Sequence, residues 1–177
     1  LQSHQQAAAA AENKSAAEAE EPRMTIKPGD KLPDIKLPAS GGRDVSLKDY
    51  KGKKLVVYFY PRDNTPGCTL EGQEFTALYK EYVKAGADIV GVSKDSVKSH
   101  DNFCAKFGFP YTLLSDADGK LCEAFGAIVE KSMYGKKYLG IDRCTFLFDA
   151  KGVLQQDWRK VSAKGHAAAV LEAVKGL

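Results

Sequence analysis

The chain has 177 residues, 44% apolar and 28% charged, the range of a globular protein with one core of ordinary size. Its formal net charge is +3, with both signs scattered and no basic run, so nucleic acid is not an expected partner. No apolar stretch approaches the ~18–20 residues that a membrane-spanning helix requires, so no membrane partner is expected either.

Residues 1–23 are dominated by Gln, Ala and Glu, with no apolar periodicity and no signal-peptide core. They have nothing to bury and are expected to form a mobile Ala/Glu-rich tail or to be vector-derived, leaving one domain over 24–177. Gly29-Asp30 and Ser40-Gly41-Gly42 punctuate a predicted hairpin with strands near 34–37 and 44–47. Leu55 to Tyr60 is continuously apolar, as a strand buried on both faces should be. From Cys68 to Tyr82, the residues Phe75, Leu78, Tyr79 and Tyr82 recur at helical spacing, and Gly86 stops the helix. Residues 87–93 read as a second buried strand. Ser96 is the predicted N-cap of a helix that runs to Phe107 and closes at Gly108-Phe109-Pro110. A short strand at 111–114 and a short helix at 119–125 follow. The chain ends with a strand over 141–148, a turn at 149–152, a return strand over 153–160 and a helix over 163–174. Strands alternating with helices, then a hairpin and a helix, predict an α/β fold with a central mixed β-sheet flanked by helices.

The four cysteines, Cys68, Cys104, Cys122 and Cys144, include no C-x-x-C pair. The pattern suits neither a zinc ribbon nor a secreted disulfide framework, and a reducing cytoplasm is the expected compartment. Cys68 stands out by its setting. The strand ending at Tyr60 meets Pro61, a turn-rich loop follows, and Thr65-Pro66-Gly67 delivers Cys68 to the first turn of a helix. Unpaired N–H groups and roughly half a positive charge at a helix N-terminus favour an anion there. The thiolate is the nucleophilic form of cysteine, so Cys68 is the candidate nucleophile. A phosphate-cradling Cys-x5-Arg loop is disfavoured, because position 74 is Glu. His100 and Cys104 share a helix face at i, i+4, but no second ligand pair accompanies them and no metal site is expected. His166 reads as a capping or packing residue.

Pro61-x-x-x-Thr65-x-x-Cys68 resembles the active-site motif of peroxiredoxins, and Arg143 falls where that family keeps its active-site arginine. The phrases Gly29-Asp30, Tyr58 to Glu71, Gly91-Val92-Ser93, Met133-Tyr134-Gly135 and Lys164-Gly165-His166 are similar to the bacterioferritin comigratory protein, or peroxiredoxin Q, branch. The resemblance spans about residues 24–177. It implies a thioredoxin-like fold and thiol-dependent reduction of hydrogen peroxide and organic hydroperoxides without metal, haem or flavin. It implies thioredoxin, or a glutaredoxin-like carrier, as reductant, and a monomer. Cys68 would attack the peroxide and become a sulfenic acid. Thr65 would place its hydroxyl beside the sulfur and the incoming oxygen, and Pro61 would shape the loop and shield the thiolate. Arg143 would stabilise the thiolate and bind both peroxide oxygens. Glu71, one turn into the helix, would orient that arginine.

Many members of this branch carry a resolving cysteine five residues after the first, where this chain has Gln73. Cys104 is the candidate that the resemblance implies, because a subset of the branch places its resolving cysteine in the corresponding helix. Cys144 follows Arg143 directly, but strand alternation would turn it to the opposite face. Cys122 lies among Leu121, Ala124 and Phe125 and reads as packing. A Cys68–Cys104 bond needs Cα atoms within about 7 Å, so one or both helices would have to unwind. Two rivals stay open: a one-cysteine peroxidase resolved by an external thiol, and a redox-controlled holdase or binding protein.

Overall fold

The computed structural model describes residues 25–177. The expected tail over 1–23 lies outside them. Seven strands form one mixed sheet, in the order β2-β1-β5-β4-β3-β8-β9. They are β1 (Lys36–Ala39), β2 (Arg43–Ser46), β3 (Lys54–Phe59), β4 (Ala87–Ser93), β5 (Thr112–Ser115), β8 (Cys144–Phe148) and β9 (Leu154–Trp158). β3, β4 and β5 run parallel, and the remaining pairs are antiparallel. Between β5 and β8 the chain makes a separate hairpin, β6 (Ile128–Met133) with β7 (Lys136–Ile141). The helices are α1 (Pro66–Lys84), α2 (Val97–Phe107), α3 (Lys120–Ala124) and α4 (His166–Lys175). A 3-10 turn at Leu47–Tyr50 follows β2, closed by a Ser46–Asp49 capping box. No described helix is long and apolar enough to cross a membrane.

β3 is the axis of the molecule. Its apolar run is continuous because each face meets a different core. Leu55, Val57 and Phe59 pack with Leu121 of α3, with Phe125 just after that helix, and with Phe146 and Phe148 of β8. Val56, Tyr58 and Tyr60 pack with Phe75 and Tyr82 of α1, Phe103 of α2 and Val170 and Val174 of α4. The parallel register pairs Phe59 with Val92, so β3 and β4 end side by side and their following loops emerge at one edge.

The predicted strand over 141–148 is broken in the structure. β7 ends at Ile141, β8 begins at Cys144, and Asp142-Arg143 belongs to neither. Arg143 thus precedes the strand it was expected to open. The closing helix begins at His166 rather than near 163, after Gly165 at φ 79°. α2 begins and ends as expected, with Ser96 Oγ accepting from Ser99 N at 3.1 Å and Gly108 left-handed at φ 67°.

Gly72 is required by close approach. A Cβ on Gly72 would lie 2.4 Å from the Phe109 ring, which is itself stacked on Tyr111 and set edge-on to Phe103. That ring is buried and has no free direction to move. Gly72→Ala is therefore expected to destabilise the fold by about 1–3 kcal/mol as an overpacked core does, read as a lower urea midpoint. An unchanged midpoint would refute this account of the α1–Phe109 contact.

Candidate active site

The loop Pro61–Thr65 connects β3 to α1. Thr65 is extended (φ −97°, ψ 157°) and forms the N-cap, and Pro66 follows at the first helical position, where its missing N–H costs nothing. The first intrahelical bond runs from Thr69 N to Thr65 O at 2.9 Å. The amides of Gly67 and Cys68 precede it and belong to the positive end of the helix. Thr65 does not cap α1 with its side chain; its hydroxyl donates to Arg62 O at 2.8 Å. Spending the proton there leaves the oxygen lone pairs to accept from an incoming O–H.

Cys68 is 2% exposed, at the floor of this turn. Arg143 reaches it from the β7–β8 junction: Nη2 donates to Sγ at 3.5 Å, while Nη1 donates to Glu71 Oε1 at 2.6 Å. A Cβ on Gly67 would lie 3.0 Å from Arg143 Nη2, so a glycine one residue before the cysteine leaves room for the guanidinium. Sequence reading did not single out Gly67 for this. The break in the strand at Asp142-Arg143 explains the reach, because a residue inside the ladder would project perpendicular to the sheet.

Glu71 is fully buried, and its Oε2 has no hydrogen-bond partner among the described residues. Burial raises its pKa to about 7, outweighing the guanidinium that favours the ionised form. The folded protein thus holds a proton that an unfolded chain releases near 4.5. Glu71 contributes stability that is present below about 4.5 and lost as pH rises through about 7. Glu71→Gln should remove a slope of up to about 1.4 kcal/mol per pH unit from that window, measured by urea melts across it. Equal slopes in both proteins would refute the assignment.

Residues 28–157 match the AhpC/TSA family. The Peroxiredoxin Bcp of Xanthomonas campestris pv. campestris is 58% identical over 142 residues, covering 80% of this chain and 89% of its own. That of Bacillus subtilis is 46% identical over 154 residues, covering 87% and 98%. The chain is a peroxiredoxin of the AhpC/TSA family. Among solved structures, Xanthomonas campestris peroxiredoxin Q superposes with a TM-score of 0.79 at 56% identity, covering 84% of this chain and 97% of its own. A bacterioferritin comigratory protein from the same organism, studied for alkyl peroxide reduction in trapped intermediate and ligand complexes, gives 0.80 at 54%, covering 85% and 98%. The Xanthomonas peroxiredoxin Q has also been solved with either of two cysteines replaced by serine, and these stand as far apart in sequence as Cys68 and Cys104. The fold is accordingly thioredoxin-like, and the protein is a thiol peroxidase of the bacterioferritin comigratory protein branch.

The structure brings Cys68, Arg143 and Glu71 of the peroxiredoxin together, with Thr65 at the helix start. Pro61 is exposed at the end of β3. There it lines an open cavity of about 850 Å³ together with Arg62, Lys94 and the β6–β7 hairpin. Cys104 packs against the same apolar cluster as Cys68, but among the described residues no hydrogen bond joins it to the Cys68–Arg143–Glu71 group. It is half-buried in the last turn of α2, where burial pushes its thiol up to about 11 and Ser40 offers a hydrogen bond. All four cysteines are free thiols. Cys144 packs with Phe146 on the α3 side of the sheet, and burial lifts its pKa to about 12. Cys122 is fully buried in the same core. His166 is buried at the start of α4, and its Nε2 is 2.7 Å from Thr145 Oγ1. Burial, then the Arg143 charge, holds its pKa down to about 4, so it is neutral.

Proposed function

We propose that this peroxiredoxin reduces hydrogen peroxide and alkyl hydroperoxides at Cys68, resolves the product as a Cys68–Cys104 disulfide and is recycled by a thioredoxin-type dithiol. The observation that carries the reading is the Arg143 guanidinium shared between Cys68 Sγ, in the first turn of α1, and Glu71, one turn further on. A fixed, always charged fork beside the sulfur meets negative charge as it moves onto the peroxide. The Cys68 thiolate attacks the distal peroxide oxygen and the O–O bond breaks. The sulfur keeps that oxygen as a sulfenic acid, and the leaving oxygen takes a proton to depart as water or an alcohol. The Cys104 thiol then displaces water from the sulfenic acid, forming the disulfide. A dithiol carrier reduces this by exchange, returning two thiols and leaving its own disulfide. Alkyl hydroperoxides are included because of the Xanthomonas relative's activity and the apolar opening beside Pro61.

Cys68 and Cys104 address different partners in the reduced protein, Arg143 and Ser40. The Cys104 carbonyl also accepts from Gly108 N at 2.8 Å and from Phe109 N at 3.2 Å. Disulfide formation therefore requires the last turn of α2, the first turn of α1, or both to unwind. One equivalent of hydrogen peroxide, followed by non-reducing peptide mass spectrometry, tests the reading. The expected product is a Cys68–Cys104 cross-linked peptide. Sulfinic acid at Cys68 with Cys104 free would place the protein among one-cysteine peroxidases, and an unmodified Cys68 would refute the site.

A further inference from the structure

The loop that carries the active-site turn and the helix that carries Cys104 meet at one buried carboxylate. Asp63 lies mid-loop, five positions before Cys68, with its side chain 3% exposed. Its Oδ1 accepts from Tyr60 Oη at 2.6 Å. Its Oδ2 accepts from Ser99 Oγ at 2.8 Å and lies 2.7 Å from His100 Nδ1. His100 is fully buried, and its Nε2 is 2.8 Å from Leu114 O. A carbonyl can only accept, so Nε2 is a donor, and Nδ1 shares a proton with the Asp63 carboxylate. Both ring nitrogens are thereby engaged. The backbone of Asp63 is held as well, its N–H donating to Asp95 Oδ2 at 2.9 Å, and Asp95 in turn accepts from Ser93 Oγ at 2.6 Å.

These bonds are unevenly placed along α2. The first turn and a half, Ser96 to Asp101, carries the cap, the two contacts to Asp63 and a bond from Gly41 N to Asp101 Oδ1 at 2.9 Å. The end that holds Cys104 is secured by the apolar packing of Phe103 and Phe107 against Phe109 and by the Gly108 cap. His100 precedes Cys104 by one helical turn and lies on the same face. An eleven-residue helix is marginal by itself, so its persistence depends on such anchors.

We propose that Ser99, His100 and Asp63 form a latch that opposes unwinding of the Cys104 helix, and so sets how fast a Cys68 sulfenic acid is resolved before a second peroxide overoxidises it. This rests on the resolving role of Cys104 given above. The three are positioning residues, acting through α2 and the loop rather than on the peroxide. Two effects compete when the latch is weakened. A helix that opens further back gives Cys104 a longer tether, but doubling a tether lowers the local concentration only about threefold. Losing one hydrogen bond to a buried charge raises the opening equilibrium about ten- to a hundredfold. The second effect wins, so weakening the latch speeds resolution.

The test uses Ser99→Ala, which removes one bond at a half-buried position, alongside His100→Gln. Hydrogen exchange over 97–108 is measured on the reduced proteins. Cys68–Cys104 disulfide formation is then followed by rapid acid quench after one equivalent of hydrogen peroxide. Ser99→Ala is expected to raise exchange along α2 and to accelerate the disulfide about tenfold, with more peroxide needed to drive Cys68 to sulfinic acid. Faster exchange with an unchanged or slower disulfide would overturn the latch, as would unchanged exchange in both variants. A wild-type protein that forms no Cys68–Cys104 disulfide overturns the resolving role itself, an outcome distinct from a normal wild-type disulfide that the variants leave untouched.

Discussion

Arg143→Met is expected to lower the second-order rate constant of Cys68 with hydrogen peroxide by about a hundred- to a thousandfold, the usual effect of removing one preorganised donor from a reacting centre. Methionine keeps much of the stem volume and removes the charge. The guanidinium lies 3.5 Å from Sγ and 2.6 Å from Glu71, so the substitution strips both groups of their cation at once. The fate of Glu71 decides how the result is read. Burial already holds its pKa at about 7 with Arg143 present, and without Arg143 nothing named beside it offsets that burial. Glu71 then stays protonated at neutral pH, so the variant gains no buried anion beside the sulfur. The rate loss therefore reports the missing cation. Arg143→Lys keeps a charge but loses the planar fork that spans sulfur and carboxylate, and an intermediate loss of about tenfold is expected. Stopped-flow reaction of the reduced proteins with hydrogen peroxide measures all three. A methionine variant within twofold of wild type would remove Arg143 from the chemistry.

What the sequence disclosed follows from what burial prints on it. β4 spans the residues expected, Ala87–Ser93, because a strand covered on both faces must be apolar throughout. Cys68 at a helix start was legible because Pro, Thr and Gly are local signals with local causes. The β6–β7 hairpin was not foreseen. Its strands are mostly exposed or half-exposed, so no alternation of apolar and polar residues marks them. The only local cue was Tyr134-Gly135, both with positive φ (52° and 75°), a two-residue hairpin turn that tyrosine disguises. Arg143 was located by family position, while the backbone break that lets it reach Cys68 was hidden inside an apolar run. The Asp63–His100 contact spans 37 positions and joins two residues that read singly as a loop acid and a helix-face histidine. No period or motif connects them; only the side-by-side ends of β3, β4 and β5 do.

Cys104→Ser should separate the two halves of the cycle. The reaction of Cys68 with peroxide is expected to stay within about twofold of wild type, because Cys104 faces Ser40 rather than the Arg143 cluster. Turnover with a thioredoxin-type reductant should fall by more than about tenfold, and Cys68 should accumulate first as sulfenic and then as sulfinic acid. The state of the Cys104 thiol gives this an independent check. In the folded helix it is pushed up to about 11, so at neutral pH it is protonated and a poor nucleophile. Unwinding returns it to water, where a cysteine titrates near 8.5. Resolution in the wild-type protein should therefore accelerate as pH rises from about 7 to 9, while the serine variant shows no such phase. Cys144 supplies the control. It faces the opposite core, and reaching Cys68 would mean pulling a residue out of the β8 ladder, where it pairs with Phe59. Cys144→Ala should leave the disulfide intact. A Cys104→Ser protein that still turns over, and stops only when Cys144 is also replaced, would move the resolving role to Cys144 and require the sheet, rather than a short helix, to open.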